Sequence, residues 1–189
     1  MNRLVVCAEA VRARYGHREV VSGISFEVRS GQALGVVGPA GTGKTTVLRL
    51  LAGLLPPAGG TVRIDGRAPH LATLRTRVGY FAGDFTLPGA VRADAWGRLA
   101  TGAPLTPERR PLRALSRAAR QLLGLRATLA RDHLDVILLD EPWDTLDADG
   151  HAWLTSTLLA KRDHGAALVL TSEHHHDLVR VCDVFLILL

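Results

Sequence analysis

The sequence lacks any apolar run that approaches the roughly 18 residues needed to cross a bilayer. Its longest candidate, residues 184–189, has only the length of a strand. Near the start, Arg3 precedes a brief apolar stretch at residues 4–8, which Glu9 interrupts. This stretch is too short for a secretory signal peptide. The two absences predict a cytosolic protein.

Cysteine is also scarce. Cys7 and Cys182 lie far apart in the sequence, so no disulfide framework is indicated and a reducing compartment is expected. Internal repeats and low-complexity linkers are missing as well. The 189 residues, 47% of them hydrophobic, are enough for one domain with a sizeable core. A formal net charge of +5 is compatible with nucleic acid, anionic lipid or a protein partner, and it selects none of them.

Short apolar runs alternate with helical patterns after Gly38, which predicts a largely parallel sheet. The strand-rich first third predicts an antiparallel layer packed on that sheet. Apolar spacing, β-branched residues and turn signals give the individual elements. Strands are predicted at 20–28, 33–37, 61–64, 78–81, 136–139, 167–170 and 184–189, and helices at 45–55, 98–131 and 151–162.

A glycine-rich loop joins an apolar strand to a helix. It reads Gly38-Pro39-Ala40-Gly41-Thr42-Gly43-Lys44-Thr45 and fits the pattern G-x-x-x-x-G-K-[ST]. In such a loop the backbone N–H groups and the helix dipole bind phosphate. Lys44 would reach the β- and γ-phosphates, Thr45 would ligate Mg²⁺, and Thr46 completes the predicted nucleotide site. The alternative is a glycine-rich turn that fits the pattern by chance.

Two carboxylates follow the apolar run 136–139. Ligands of parallel sheets bind beyond the carboxyl ends of the strands. Asp140 is therefore predicted to hold Mg²⁺, directly or through water, and Glu141 to polarise the attacking water as a catalytic residue beside Lys44. The alternative is that both residues merely end a strand at the surface.

With these motifs, the chain resembles the nucleotide-binding domain of the ABC transporter ATPases over nearly its whole length. The further matching segments are Arg14-Tyr15-Gly16, Ile24-Ser25-Phe26, Gly31-Gln32, Asp140-Glu141-Pro142, Leu146-Asp147 and Cys182-Asp183. The resemblance implies that Tyr15 stacks on adenine, although it could be an ordinary surface or core tyrosine. It also implies that Asp147 lies at a dimer interface, where Trp143 could lie too.

The fold implied by the resemblance is α/β. It is a P-loop NTPase (RecA-like) core with an N-terminal antiparallel strand layer and a short helical subdomain. The chain would form a single ABC-type ATP-binding domain over residues 1–189, with the shortened helical subdomain inserted at 83–132.

Three family motifs are poorly matched. Gly83 stands where the glutamine of the Q-loop is expected, with Asp84 one residue away. Glu173 stands at the position of the switch histidine, and His174 follows one residue late. The signature Leu-Ser-Gly-Gly-Gln is replaced by Leu115-Ser116-Arg117-Ala118-Ala119. Ser116 would still touch phosphate from another subunit, whereas Arg117 could obstruct the site or supply a positive charge to it.

By resemblance, the function is that of an ATP-binding and ATP-hydrolysing subunit that powers transport through a separate transmembrane permease. ATP and Mg²⁺ are the implied cofactors. The chain would work as a homo- or heterodimer on the cytoplasmic face of the membrane, and no nucleic acid partner is expected. The alternative is a non-hydrolysing or weakly hydrolysing ATP-binding module, such as the degenerate half of a heterodimer.

Two further patterns leave alternatives open. Several arginines recur at helical spacing and predict a solvated basic face, or a contact with anionic lipid or an acidic partner. They are Arg109, Arg110, Arg113, Arg117 and Arg120. The three consecutive histidines 174–176 cannot all face one metal ion in regular helix, so no metal site is predicted there.

Overall fold

Residues 3–69, 77–83 and 87–189 are described in the computed structural model of the protein. Their strands form two sheets, one of three strands and one of five. In chain order the strands are β1 (Leu4–Tyr15), β2 (Arg18–Arg29), β3 (Ala33–Val37), β4 (Gly59–Ile64), β5 (Val78–Phe81), β6 (Val136–Leu139), β7 (Ala167–Ser172) and β8 (Val184–Ile187). The helices are α1 (Lys44–Leu51), α2 (Ala93–Thr101), α3 (Arg117–Leu129), α4 (Ala148–Asp163) and α5 (His175–Leu178), with a 3-10 helix at Leu112–Ala114.

The three-stranded sheet is the antiparallel layer that the sequence predicts. Its order is β2-β1-β4, with β1 paired antiparallel to both neighbours. The strand prediction missed β1 because its alternation is interrupted. Val6 and Ala8 are buried before a register shift, and Val11 and Ala13 are buried after it. Such an irregularity hides the period of two from a sequence scan.

The five-stranded sheet is parallel, as predicted, in the order β5-β6-β7-β3-β8. Alternate residues of its strands enter two hydrophobic clusters, one on each face. Val136 and Leu138 pack with α1 and the antiparallel layer, whereas Ile137 and Leu139 pack with α3 and α4. A sheet that is covered on both faces explains why its central strands are continuously apolar.

The helix predicted over 98–131 is wrong as one element. Gly102 ends α2 in the left-handed conformation with φ 82°. Prolines at 104, 107 and 111 then lack the N–H that a helix interior needs. A new helix starts only at α3, where Ser116 is the N-cap.

The predicted arginine face is therefore wrong too. Arg109, Arg110 and Arg113 precede α3, and only Arg117 and Arg120 belong to it. Arg110 pairs with Glu108 at 2.9 Å, and the Arg120 guanidinium donates to the Leu115 carbonyl at 2.8 Å. These side chains bind their own loop rather than forming one solvated helix face.

The other predicted helix boundaries differ from those in the structure by a few residues. Helix α1 ends at Leu51 rather than at 55, because Gly53 turns the chain with φ 66°. Helix α4 begins at Ala148, since the Asp147 carboxylate accepts from the Gly150 N–H at 2.8 Å and caps it. Among the helices of the described ranges, none has the length and apolar character to cross a bilayer.

Candidate functional site

The glycine-rich loop leaves β3 at the carboxyl edge of the parallel sheet and runs into α1. Gly41 and Gly43 have φ of 83° and 101°, which only glycine adopts without strain. At Gly38 a Cβ atom would lie 2.5 Å from the Leu188 carbonyl oxygen. The Thr42 hydroxyl donates to the Pro39 carbonyl at 2.9 Å and closes the loop. The backbone conformation therefore requires the sequence pattern at these positions.

Lys44 is the buried cation of this loop, with 6% of its side chain exposed. Its Nζ donates to the Gly38 carbonyl at 2.7 Å and to the Pro39 carbonyl at 3.2 Å. The same Nζ lies 3.1 Å from Glu141 Oε1 and 3.9 Å from Glu173 Oε1. The ammonium is thus surrounded by oxygen atoms of three chain segments.

Asp140 directly follows β6 and is almost fully buried. Its Oδ2 accepts from the Thr45 hydroxyl at 2.7 Å, and its Oδ1 accepts from the Thr171 hydroxyl at 2.7 Å. Both oxygens are therefore fixed in direction. The sequence pattern identified Asp140 and Thr45, but no motif pointed to Thr171. Thr171 could have been found only from the pairing of β7 beside β6.

Glu141 turns the chain out of the sheet. Its φ is 45°, an uncommon value for a residue with a side chain. The Glu141 N–H donates to the Thr171 hydroxyl at 2.9 Å, and Glu141 Oε2 accepts from the Glu173 N–H at 3.0 Å. Burial raises the pKa of the Glu141 carboxyl, and the Lys44 ammonium opposes that rise. The strained backbone and the ion pair together hold the carboxylate beside Lys44.

These groups line one open pocket at the carboxyl edge of the sheet. Among the described residues its walls are Arg18, Val20, Ala40, Gly41, Gly43, Lys44, Thr45, Thr46, Glu141 and Glu173. Two cations and two carboxylates thus face the same space. Sequence reasoning missed Arg18 and Val20, which are brought in by β2. Arg18 pairs with Tyr15 across a tight turn. That turn is the sequence signal that could have placed Arg18 near Tyr15.

Six predicted ligands are not among the walls of this pocket, as far as the described residues show. They are Gly38, Pro39 and Thr42 of the loop, Asp140 behind it, and Tyr15 and Ser116. Tyr15 is 45% exposed, and hydrogen bonds from Arg49, and less from Thr46, lower the pKa of its hydroxyl. Ser116 caps α3, accepting from the Ala119 N–H at 3.1 Å. Tyr15 therefore lies beside α1, next to the loop helix, whereas Ser116 is not brought to the pocket by its own chain.

The poorly matched motifs fall in different places. Gly83 packs closely on the sheet, since a Cβ there would lie 3.2 Å from the Asp140 carbonyl oxygen. Asp84 lies outside the described residues. Glu173 is in the pocket wall, while the His174 ring stacks on His176 with 5.5 Å between centroids. Trp143 is buried in the core cluster around α4, rather than presented to a partner.

One side chain that sequence reasoning missed joins α3 to this edge of the sheet. Gln121 Nε2 donates to the Pro142 carbonyl at 2.9 Å and to the Glu141 carbonyl at 3.4 Å. Its Oε1 accepts from the Thr145 hydroxyl. Gln121 lies five residues after Ser116, but no sequence pattern assigned it a role.

Loop, acidic pair and parallel sheet together define a P-loop nucleotide-binding domain. Comparison with known proteins gives the family. The family model described as ABC transporter matches residues 21–144. The chain belongs to the ABC transporter family and carries its nucleotide-binding domain.

Relatives that are similar in sequence carry names of ATP-binding subunits. The chain is 33% identical over 95% of its length to the Nod factor export ATP-binding protein I of Ralstonia nicotianae, and it spans 62% of that protein. It is 36% identical over 91% of its length to the cytochrome c biogenesis ATP-binding export protein CcmA of Bradyrhizobium diazoefficiens, of which it spans 90%. An aliphatic sulfonates import ATP-binding protein SsuB of Rhodococcus jostii is 35% identical over 98% of the chain and is 71% spanned.

Solved structures agree on the fold. A structure described as an ATP binding subunit of an ABC transporter superposes with a TM-score of 0.85 at 21% identity, covering 97% of this chain and 85% of that one. A bacterial Atm1-family ABC exporter with ATP bound gives a TM-score of 0.80 at 25% identity, over 99% of this chain and 37% of the exporter chain. The predicted P-loop NTPase fold is therefore confirmed.

Proposed function

We propose that this chain is the ATP-binding and ATP-hydrolysing subunit of an ABC transporter and powers transport through a separate membrane permease. The observation that carries the proposal is the convergence of four side chains at one sheet edge. Lys44 is 3.1 Å from Glu141, and Thr45 is 2.7 Å from Asp140. A phosphate cradle, a cation site and a base therefore share a single pocket.

Nucleotide binding rests on the loop. Its backbone N–H groups and the start of α1 offer positive ends to phosphate. The residues proposed to hold the nucleotide are Tyr15, Gly38, Pro39, Ala40, Gly41, Thr42, Gly43, Lys44, Thr45 and Thr46, with Ser116 contributed by a second copy or a related subunit. Tyr15 offers a partly exposed ring next to α1, which suits stacking on a base.

The donors beside the loop fit Mg²⁺. This ion prefers a few carboxylate or hydroxyl oxygens from the protein, completed by phosphate oxygens and water. Thr45 Oγ1 and Asp140 Oδ2 form such a pair at 2.7 Å. No cluster of three or more His, Cys, Asp or Glu ligands occurs within the described ranges. When bound, the ion neutralises charge on the transferred phosphate.

Hydrolysis would proceed through Glu141 and Lys44. Binding of the γ-phosphate supplies new oxygen ligands to the Lys44 ammonium, which frees the Glu141 carboxylate from its ion pair. The freed carboxylate then accepts a hydrogen bond from the attacking water. Its raised pKa makes it a stronger base than an exposed glutamate. The Thr171 hydroxyl keeps Asp140 and the Glu141 backbone in place during this exchange.

Membership in the family supports two partners, a second ATP-binding subunit and a membrane permease. A homo- or heterodimer would bring Ser116 and Arg117 of one subunit to the loop of the other. Burial, and after it the Glu173 charge, raise the pKa of Asp144, and the charge of Arg117 opposes that rise. Arg117 is the first residue of α3, so its guanidinium lies near the acidic turn of its own chain. A permease would anchor the dimer peripherally on the cytoplasmic face of the membrane.

A second candidate function is a non-hydrolysing or weakly hydrolysing ATP-binding module, for example the degenerate half of a heterodimer. The observation that favours it is the Glu173 carboxylate in the pocket wall, 3.9 Å from Lys44. A negative charge there opposes the γ-phosphate. In this case ATP would bind and promote dimerisation without turnover.

A single-turnover assay with γ-labelled ATP separates the two candidates. Three proteins are compared, namely wild type, Glu141→Gln and the control Glu27→Gln. Glu27 pairs with Arg29 on the exposed face of β2, so the control makes the same chemical change away from the pocket. The hydrolysing subunit predicts cleavage by wild type and control and a loss of about a hundredfold or more in Glu141→Gln. Equal inertness of all three, with ATP bound, would leave only the second candidate.

A further inference from the structure

The walls of the phosphate pocket contain as many acidic side chains as basic ones. Lys44 and Arg18 contribute two positive charges, and Glu141 and Glu173 contribute two negative ones. Asp140 adds a third carboxylate directly behind Thr45. The mechanism above uses Asp140 and Glu141, but it gives no role to Glu173.

Glu173 is held in a defined position at the end of β7. Its backbone N–H donates to Glu141 Oε2 at 3.0 Å, and its own carboxylate approaches Lys44 Nζ to 3.9 Å. The side chain is 43% exposed, so it faces the open part of the pocket. The next residue is fixed as well, because the His174 N–H donates to the Ser172 hydroxyl at 3.0 Å. Because the lysine of such a loop reaches the β- and γ-phosphates, the Glu173 carboxylate lies next to the group that would contact a third phosphate.

We propose that Glu173 is a specificity-determining residue, which makes this pocket bind nucleoside diphosphates in preference to nucleoside triphosphates. The inference rests on the proposed nucleotide site. A diphosphate is bound by the loop N–H groups and Lys44 without reaching beyond the lysine. A triphosphate brings further negative charge towards the two carboxylates that already surround Nζ, and Glu173 must move outward before that phosphate is accepted.

The size of the effect follows from the exposure of Glu173. Like charges a few ångströms apart repel strongly in a buried site, but water screens a side chain that is nearly half exposed. A preference of about tenfold for the diphosphate is expected at moderate ionic strength. The preference should shrink as salt is added, because the repelling groups face solvent.

Calorimetric titration with Mg-ADP and with a non-hydrolysable Mg-ATP analogue tests the proposal. The proteins are wild type, Glu173→Gln, which keeps the shape and removes the charge, and the surface control Glu27→Gln. Wild type and control should bind ADP about tenfold more tightly than the analogue. In Glu173→Gln the analogue should gain about tenfold in affinity, while ADP changes by less than about threefold.

The outcomes separate the inference from the function on which it rests. A ratio of the two affinities that is the same in wild type and Glu173→Gln overturns the selectivity role, even if both nucleotides bind. An equal loss of both affinities also overturns it, because Glu173 would then only support the pocket. Failure of wild type to bind either nucleotide contradicts the proposed function itself. If Glu173→Gln does not fold, Glu173→His gives the same comparison with a side chain that can donate.

Discussion

The nucleotide pocket differs from the segment at 87–132, called the insert here because it carries α2 and α3 between β5 and β6, in how tightly the backbone constrains the residues. In the pocket, the loop glycines and Glu141 have positive φ values, and the buried Lys44 forms an ion pair with Glu141. In the insert, α2 and α3 are joined by a proline-rich loop and pack around a small cluster of their own. The segment that differs from the family's signature motif lies in the insert. The phosphate loop and the acidic pair match their sequence patterns at every position. In the proposed function, nucleotide binding depends on the first region, and the contacts between subunits depend on the second.

Removal of the Lys44 ammonium group should have the largest effect on nucleotide binding. Lys44→Met is expected to weaken Mg-ATP binding by at least about a hundredfold, because Lys44 supplies the charge-assisted bonds to the terminal phosphates. The control is Lys161→Met, which removes the only other lysine of the chain, a residue that donates to the Arg131 carbonyl. Direct titration of both variants measures the difference. Equal affinities would show that this loop is not the phosphate site.

As the pH falls, ATP cleavage should be lost before the protein unfolds. Burial raises the pKa of Glu141, so this carboxyl takes up a proton at a higher pH than an exposed glutamate. A base must be ionised, and ATP cleavage should therefore be lost as pH falls through that raised pKa while the fold persists. A pH profile of single-turnover cleavage, with circular dichroism on the same samples, is the measurement. If the pH profile shows activity lost at a pKa no higher than that of an ordinary glutamate, the role of Glu141 is contradicted.

Gln121 tests whether the two regions are coupled. It lies in α3 of the insert and donates to the carbonyls of Pro142 and Glu141 in the core. Gln121→Ala should lower the free energy of unfolding by about 1–2 kcal/mol, since these acceptors lose their partner. It should also slow cleavage more than it weakens ATP binding. Urea unfolding and single-turnover rates provide the two readings, and unchanged values in both would mean that the insert and the core act independently.

The smallest effect is expected within the insert. The Arg110 guanidinium and N–H lower the pKa of Glu108 to about 2. Because the folded pKa is depressed, this pair contributes stability above the unfolded pKa, and the contribution is lost as pH falls towards about 2. In Arg110→Ala the Glu108 pKa should return towards its ordinary range, as followed by NMR titration, with nucleotide affinity unchanged. A Glu108 pKa that stays near its depressed value would show that another group is responsible.

Sequence patterns predicted the parallel sheet, the antiparallel layer and the phosphate loop because each rests on short-range rules. Glycine at 41 and 43, a continuous apolar β6 and a carboxylate at its end can all be read locally. Thr171 and Gln121 could not, since each reaches the site from a segment that only the tertiary fold brings near. Strand β1 was missed where its alternation shifts at Ala10, and the long helix failed because three prolines divide it.

The central claim is that the pocket binds and cleaves ATP. Steady-state phosphate release with Mg-ATP, measured on the same purified sample as ATP binding, tests it most directly. The account predicts saturable binding together with release that disappears in Glu141→Gln. Binding without any release, even at protein concentrations high enough to form dimers, would contradict hydrolysis by this chain and leave a nucleotide-binding subunit that needs a different partner to complete its sites.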